Sequence, residues 1–287
     1  MRPFSYERPR TLPAAIDLLA GGASAAALAG GTDLIIGLRD GSVRPEVVVD
    51  LKGIDEIETG IQVDGDRLVI GGRAVMEDIA ADPRVRRDFM ALAEAAAVVG
   101  SVQIRNRATL AGNLCNASPA ADTAPALLVY DASVVVVGPA GSRRIAVDDF
   151  FRGPGTTALV PGELVTAIEL PLPPARRGAV HLRRTRRRGH DLASVTLAVA
   201  VEDGGRVRLA YGSVGPRPIL VTDDSGVLTD RGSSAEARAS AMERLLAAAS
   251  PSPRSMRASP EYRLAMLRVL ADRALGAAVQ RMQGQPA

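Results

Sequence analysis

Thr109-Leu110-Ala111-Gly112-Asn113-Leu114-Cys115-Asn116-Ala117-Ser118-Pro119-Ala120-Ala121-Asp122 is the segment on which the reading of this chain turns. Thr109, Asn113, Asn116 and Ser118 offer hydrogen-bond donors. Gly112 lets a backbone or ligand come close, and Pro119 stiffens what reads as a polar loop. Asp122 stands just before the next apolar helix. It could cap backbone N–H groups there, or accept from a ribose or a ring N–H. Read alone, the segment serves equally well as a solvated loop of Asx turns ending in a helix cap.

A second stretch lies about eighty residues upstream, Ala29-Gly30-Gly31-Thr32-Asp33. Backbone N–H groups bind a pyrophosphate where no Cβ blocks the approach, which Gly30 and Gly31 allow. Thr32 adds a hydroxyl. Asp33 could accept from backbone or ribose but would repel a phosphate that it faced. Read alone, this is also an ordinary strand-to-helix turn. The Gly-x-Gly-x-x-Gly spacing of a Rossmann turn is absent, and no Gly-Lys-Ser/Thr of a P-loop follows. Taken together, the two stretches suit one long anionic cofactor.

Around the first turn the chain reads as a small βαβ-like unit. Leu12 to Leu19 is a helix with Thr11 as N-cap and Pro13 in its first turn. Ala25 to Ala29 is a strand, Leu34 to Arg39 a helix broken by Asp40-Gly41, and Glu46 to Leu51 a valine-rich buried strand. A larger mixed unit follows. Arg67 to Ile70 is a strand running into Gly71-Gly72. Asp78 to Ala81, Asp88 to Val99 and Ala124 to Tyr130 are helices, while Ser133 to Val137 and Leu164 to Leu170 are strands. Pro171, Pro173 and Pro174 mark the best boundary. Beyond it, Val195 to Val201 and Val207 to Tyr211 form a hairpin through Asp203-Gly204-Gly205. Residues 235–249 and 262–282 are helices, and residues 283–287 should fray. The expected fold is α+β, with units at 1–55, 56–174 and 175–287, the last an antiparallel sheet with helices.

Composition narrows the function. With 47% hydrophobic and 23% charged residues the 287-residue chain is an ordinary globular sequence. No apolar run approaches the roughly 20 residues of a membrane span, and the N-terminus lacks a signal-peptide core, so a cytoplasmic location is expected. One cysteine, Cys115, excludes an intrachain disulfide or an iron–sulfur cluster held by this chain alone; it reads as a loop filler. His181 and His190 are too few for a metal site, and His190 reads as structural or exposed. Redox chemistry would therefore need an organic cofactor or a partner chain. Seven arginines lie between 176 and 188. They read as a solvated face, as a partner interface, or as a site for an anionic acceptor such as NAD(H). An aromatic content of 3% without tryptophan weighs against nucleic acid.

The paired motifs resemble the flavin-binding subunit of molybdenum-containing hydroxylases, the xanthine dehydrogenase group, with its PCMH-type FAD-binding domain. Gln103-Ile104-Arg105-Asn106, Pro161-Gly162-Glu163-Leu164-Val165 and Asp191-Leu192-Ala193 carry the resemblance along nearly the whole chain. It implies that Ala29, Gly30, Gly31, Thr32, Asp33 and Leu34 wrap the FAD pyrophosphate. Thr109, Gly112 and Asn113 would bind it from the opposite side, and Ser118 and Asp122 would continue that wall. Val165 would lie against the flavin ring, and Arg183 or Arg184 would be the basic residue near it. No catalytic acid or base and no metal ligand is implied.

Departures from the family pattern are informative. Ala111 replaces a glycine. Leu192 stands where relatives often carry an aromatic residue against the flavin. Asp33 replaces the serine of a Gly-Gly-His-Ser turn, which argues against carbon monoxide as substrate. The single cysteine excludes the extra cluster loop of benzoyl-CoA-type relatives. The implied function is electron transfer within a dimer of heterotrimers. A molybdopterin large subunit and a [2Fe–2S] small subunit would feed FAD on this chain, which passes electrons to an acceptor such as NAD⁺ or quinone. Purines or other N-heterocycles are the first substrate guess. The alternatives are a stand-alone flavoenzyme of the vanillyl-alcohol-oxidase or MurB type, and a non-enzymatic module binding through the arginines.

Overall fold

A three-stranded parallel sheet opens the chain. Ser5–Glu7 (β1), Ala25–Leu28 (β2) and Val47–Asp50 (β3) lie in the order β1-β3-β2. The computed structural model describes residues 2–173, 176–187 and 189–284. Parts of three expectations fall outside the described residues: Pro174 of the proline boundary, Arg188 of the arginine run, and 285–287 of the tail. Helix α1 is Leu12–Ala20; Thr11 caps it by accepting from the Ala14 N–H at 3.4 Å. Helix α2 is Leu34–Asp40, closed by Gly41 at φ +79°. Val48 and Val49 are fully buried, as the valine run requires.

Strand β1 was not foreseen, and its register explains why it holds. Tyr6 donates its hydroxyl to Asp50, a buried carboxylate at the end of β3. Lys52, the only lysine, places its ammonium 2.6 Å from Asp50 and donates its backbone N–H to it at 3.0 Å. Burial alone would raise the Asp50 carboxyl, but the bonds from Lys52 and Tyr6 outweigh it and hold it below its ordinary value. A lowered native value gives stability that is present at neutral pH and lost as the pH falls through that value. Asp50→Asn should therefore cost about 1–3 kcal/mol at neutral pH and flatten the acid limb of a stability-versus-pH curve. Denaturant midpoints measured across that limb would show it; an unchanged limb would remove Asp50 as the anchor.

The middle of the chain builds an antiparallel sheet. Its strands are β4 (Ile61–Asp64), β5 (Arg67–Gly71), β6 (Ser133–Gly138), β7 (Gly141–Ala146) and, after the short pair β8 (Phe151–Gly153) and β9 (Thr156–Thr157), β10 (Leu164–Pro171). The order is β4-β5-β10-β6-β7. Helices α3 (Met76–Ala81), α4 (Pro83–Asp88), α5 (Met90–Ala97), α6 (Val102–Arg105), α7 (Leu110–Cys115), α8 (Thr123–Val129) and α9 (Val147–Phe150) complete it.

Two expectations are corrected here. The helix expected over 88–99 forms as the shorter α5, and an unexpected α4 precedes it, the two broken at Phe89 with φ −134°, ψ 44°. Asp82 starts α4 by accepting from the Arg84 and Val85 N–H groups. The segment expected as a loop at 109–122 begins with a helical turn and a half. Thr109 Oγ1 accepts from the Gly112 N–H at 3.0 Å, and Leu110, Ala111 and Leu114 are buried. The apolar spacing at 110, 111 and 114 is a helical face, which the surrounding Asn, Ser and Pro residues obscured.

The C-terminal third is a second antiparallel sheet, β11 (Arg177–Arg184), β12 (Val195–Glu202), β13 (Val207–Gly212) and β14 (Ile219–Asp223), in sequential order. Helices α10 (Ala235–Leu246) and α11 (Pro260–Met282) follow. The hairpin at 203–205 forms as read, with Gly204 and Gly205 both at φ +84°. At the end of α11 the Gln283 N–H returns to the Val279 carbonyl at 3.1 Å. Strand β11 was hidden by its arginines. Ala179, Ala198, Ala200 and Ala210 pack into the core of the middle unit, while Val180, Val199 and Leu209 pack with α10 and α11. The sheet is thus buried on both faces. The free edge of β11 is braced: Glu94 accepts from the His181 N–H at 2.9 Å, Arg281 donates to the Ala179 carbonyl at 2.7 Å, and the two side chains pair. No helix among the described residues is long and apolar enough to cross a membrane.

Candidate cofactor site

Gly30 brings the two motifs together. A Cβ on Gly30 would sit 1.9 Å from the Arg107 carbonyl oxygen and 3.1 Å from the Ala108 Cα. The turn after β2 therefore lies directly against the strand-like approach to Thr109. Gly31, at φ +78°, turns the chain into α2, and the Gly31 carbonyl accepts from the Ile35 N–H at 3.0 Å. Ala29, Thr32 and Leu34 are half-buried around this contact, and Asp33 is exposed. Asp33 makes no side-chain cap bond to α2.

On the facing side, the capping role of Thr109 fixes α7, and the carbonyl of Thr109 accepts from the Asn113 N–H. A Cβ on Gly112 would meet Thr109 Oγ1 at 2.9 Å, so the glycine is what allows the cap to close. Asn113 accepts from the Thr123 hydroxyl at 2.7 Å, which engages its amide oxygen and leaves the NH₂ as its donor. Ser118 Oγ accepts from the Ala120 N–H at 3.3 Å. Ala117, just before it, is held at φ +45°.

Asp122 departs from its expected capping role. It occupies the N-cap position of α8 but bonds to none of that helix's N–H groups. Its Oδ2 accepts from Arg183 Nη1 at 2.7 Å, across the junction between the middle unit and β11. Its Oδ1 is buried without a hydrogen-bond partner. His181 Nε2 is 3.6 Å away from that atom and bonds instead with Thr196 Oγ1 at 3.0 Å. A buried carboxylate oxygen lacking a donor is costly, and a donor from outside the chain would relieve that cost. An FAD, with ribityl and ring donors, would supply such a donor, and the Gly30–Arg107 contact makes the close, small-residue turn that a pyrophosphate approach requires. The residues fit FAD.

The structure separates the two arginines that the sequence left in doubt. Residues alternate across β11, so Arg183 shares the His181 face toward Asp122, and Arg184 turns away to the Tyr262 hydroxyl at 2.9 Å. Val165 is buried on β10, beside the bulge between Val165 and Ala167. Among the described residues, the other arginines of the run do not form one basic face. Arg177 is buried over the Tyr130 ring, 4.4 Å from its centroid, and burial lowers its pKa. Arg186 and Arg187 donate their N–H groups to the Asp191 carboxylate at 3.1 Å, which folds the loop and leaves Leu192 exposed. Cys115 and His190 are exposed. Sequence reasoning missed Arg107, Thr123, His181 and Thr196. The two-residue spacing of His181 and Arg183 was the one available signal, since it puts both on one strand face.

Comparisons with known proteins agree with this arrangement. The FAD binding domain in molybdopterin dehydrogenase matches residues 2–173, and the CO dehydrogenase flavoprotein C-terminal domain matches residues 181–278. The xanthine dehydrogenase FAD-binding subunit of Escherichia coli O157:H7 is 31% identical over 286 residues, covering 98% of each chain. The carbon monoxide dehydrogenase medium chain of Hydrogenophaga pseudoflava is 30% identical over 280 residues, covering 96% of each. Among solved structures, carbon monoxide dehydrogenase from H. pseudoflava superposes with a TM-score of 0.90 at 30% identity, over 98% of this chain and 99% of that one. Quinoline 2-oxidoreductase from Pseudomonas putida 86 gives 0.88 at 28% identity, over 98% of each. With its α+β architecture and both domains matched, the chain belongs to the FAD-binding subunits of the molybdopterin dehydrogenase family and is an oxidoreductase component.

Proposed function

We propose that this chain is the electron-exit subunit of a molybdenum hydroxylase built as a dimer of heterotrimers. It takes electrons from a [2Fe–2S] subunit, which a molybdopterin subunit supplies, and passes them to an acceptor such as NAD⁺ or quinone. Units at 1–55 and 56–174 would hold FAD between them, and 175–287 would close the site from a third side. The orphaned Asp122 Oδ1, together with the Gly30–Arg107 contact that joins the two motifs, carries this reading. The relatives named above are flavin subunits and oxidoreductases, and this supports it.

When bound, FAD would supply the exchange between one-electron and two-electron transfer. The residues of this chain bind and orient. Gly30, Gly31 and Thr32 would face the pyrophosphate from α2, with Ala29, Asp33 and Leu34 shaping that turn. Thr109, Gly112, Asn113 and Ser118 would face it from α7 and the loop beyond. Asp122 would accept a donor through Oδ1 while Arg183 holds its other oxygen, and Val165 would supply an apolar wall. Arg184 is set aside, because its side chain faces α11. The Asp33 turn supports an N-heterocycle over carbon monoxide as the substrate of the complex.

The test is the visible spectrum of the purified chain, with acid release of any yellow chromophore. Released FAD in near-equal amount to protein is the expected result. A folded, colourless chain that takes up no added FAD would overturn the proposal. Arg184→Met should keep full flavin and change stability by no more than about 0.5 kcal/mol, whereas Arg183→Met should lose flavin.

A further inference from the structure

We propose that the corner Gly212-Ser213, at the end of β13, is a clamp by which the C-terminal sheet sets how tightly FAD is held; this rests on the FAD reading above. The corner touches the cofactor loop directly. The Ser213 N–H donates to the Pro119 carbonyl at 2.6 Å. A Cβ on Gly212 would lie 2.8 Å from that same oxygen, so only glycine lets β13 come this near.

Ser213 is held by two further contacts. Its hydroxyl donates to the Ala193 carbonyl at 2.9 Å, next to the exposed Leu192. Its own carbonyl accepts from Arg263 Nη1 of α11 at 2.6 Å, in a buried contact. Its φ is +66°, a conformation uncommon for a non-glycine residue and maintained only where surroundings over-determine it. The segment on the receiving end is itself strained, with Ala117 at φ +45° two residues before Pro119. Asp122 follows three residues after Pro119. The corner therefore fixes both the loop that presents Ser118 and Asp122 and the approach to β12 at Ala193. Neither Gly212, Ser213 nor Arg263 faces the cofactor in the assignment above. They are positioning residues, and they act by paying in advance the ordering of a loop that FAD would otherwise have to order on binding.

FAD affinity and thermal stability separate this role from general support of the fold. Both are measured on the full chain, by the fluorescence change on FAD release and by circular dichroism. Gly212→Ala pushes β13 off Pro119 and is expected to weaken FAD binding about tenfold at a temperature where the fold is intact. Val201→Ala, which opens a cavity at the hairpin end of β12, five register positions from Gly212, should lower Tm and leave the FAD dissociation constant unchanged. Arg263→Met, which leaves Gly212 untouched, is the second variant, and it should weaken binding in the same direction. Wild-type affinity in Gly212→Ala and Arg263→Met would overturn the clamp, as would an equal loss in Val201→Ala. A wild-type chain that binds no FAD would instead overturn the functional reading beneath it.

Discussion

Gly30→Ala is expected to strip FAD from the chain and lower its stability together. The added methyl would overlap the Arg107 carbonyl oxygen at 1.9 Å, and a backbone atom cannot rotate away as a side-chain tip can. One of the two motifs must move. Overpacking of this kind costs about 1–3 kcal/mol in folded cores, and a rigid neighbour puts it at the upper end. The larger consequence is geometric. Separating the α2 turn from the approach to α7 by even an ångström spoils a site whose two walls must act on one pyrophosphate. Flavin content, read as visible absorbance per protein, should fall to a small fraction of the wild-type value. Gly31→Ala is the informative companion. Its φ of +78° imposes strain of about 1–2 kcal/mol on alanine, but its Cβ would meet only the flexible tips of Leu28 and Ile35, at 3.0 Å. It should lose less flavin than Gly30→Ala. Full flavin in Gly30→Ala would show that the contact does not shape the site.

Asp122→Ala should remove FAD while leaving the secondary structure intact. The substitution removes the one buried side-chain oxygen that has no donor among the described residues, and with it the partner of Arg183. Losing that charge-assisted bond at a partly buried junction costs about 1–3 kcal/mol. Asp122→Asn separates the two contributions. It keeps the shape and one carbonyl acceptor but removes the charge, so it should retain part of the flavin and weaken the hold on Arg183. If Ala and Asn variants bind FAD as well as wild type does, Asp122 is a strut between β11 and α8 and no more.

The sequence made the glycine turn, the caps and the central strands legible because each rests on local physics. Thr11 and Pro13 start α1, Gly41 ends α2, and the valines at 47–49 and 134–137 spell buried strands. Gly204-Gly205 closes its hairpin for the same reason. What stayed hidden depends on partners distant in the chain. Strand β1 exists because Tyr6 finds Asp50, and β11 carries arginines that looked like a solvated run until Arg177 met Tyr130 and Arg183 met Asp122. The helix α7 was masked by the polar residues that surround it.

The same division runs through the site. Sequence alone determined which residue types were available: glycine where backbones must touch, and a carboxylate and an arginine for a charged pair. It also determined that one cysteine and two histidines leave redox chemistry to an organic cofactor or to another chain. Only the tertiary structure decided the pairings. It gave Gly30 to the Arg107 carbonyl, chose Arg183 over Arg184 by the alternation of β11, and took Asp122 from the helix it precedes to the strand it faces. The reason is range. Caps and turns are settled within four or five residues, whereas a contact between residues 61 positions apart is settled only when the sheets have packed.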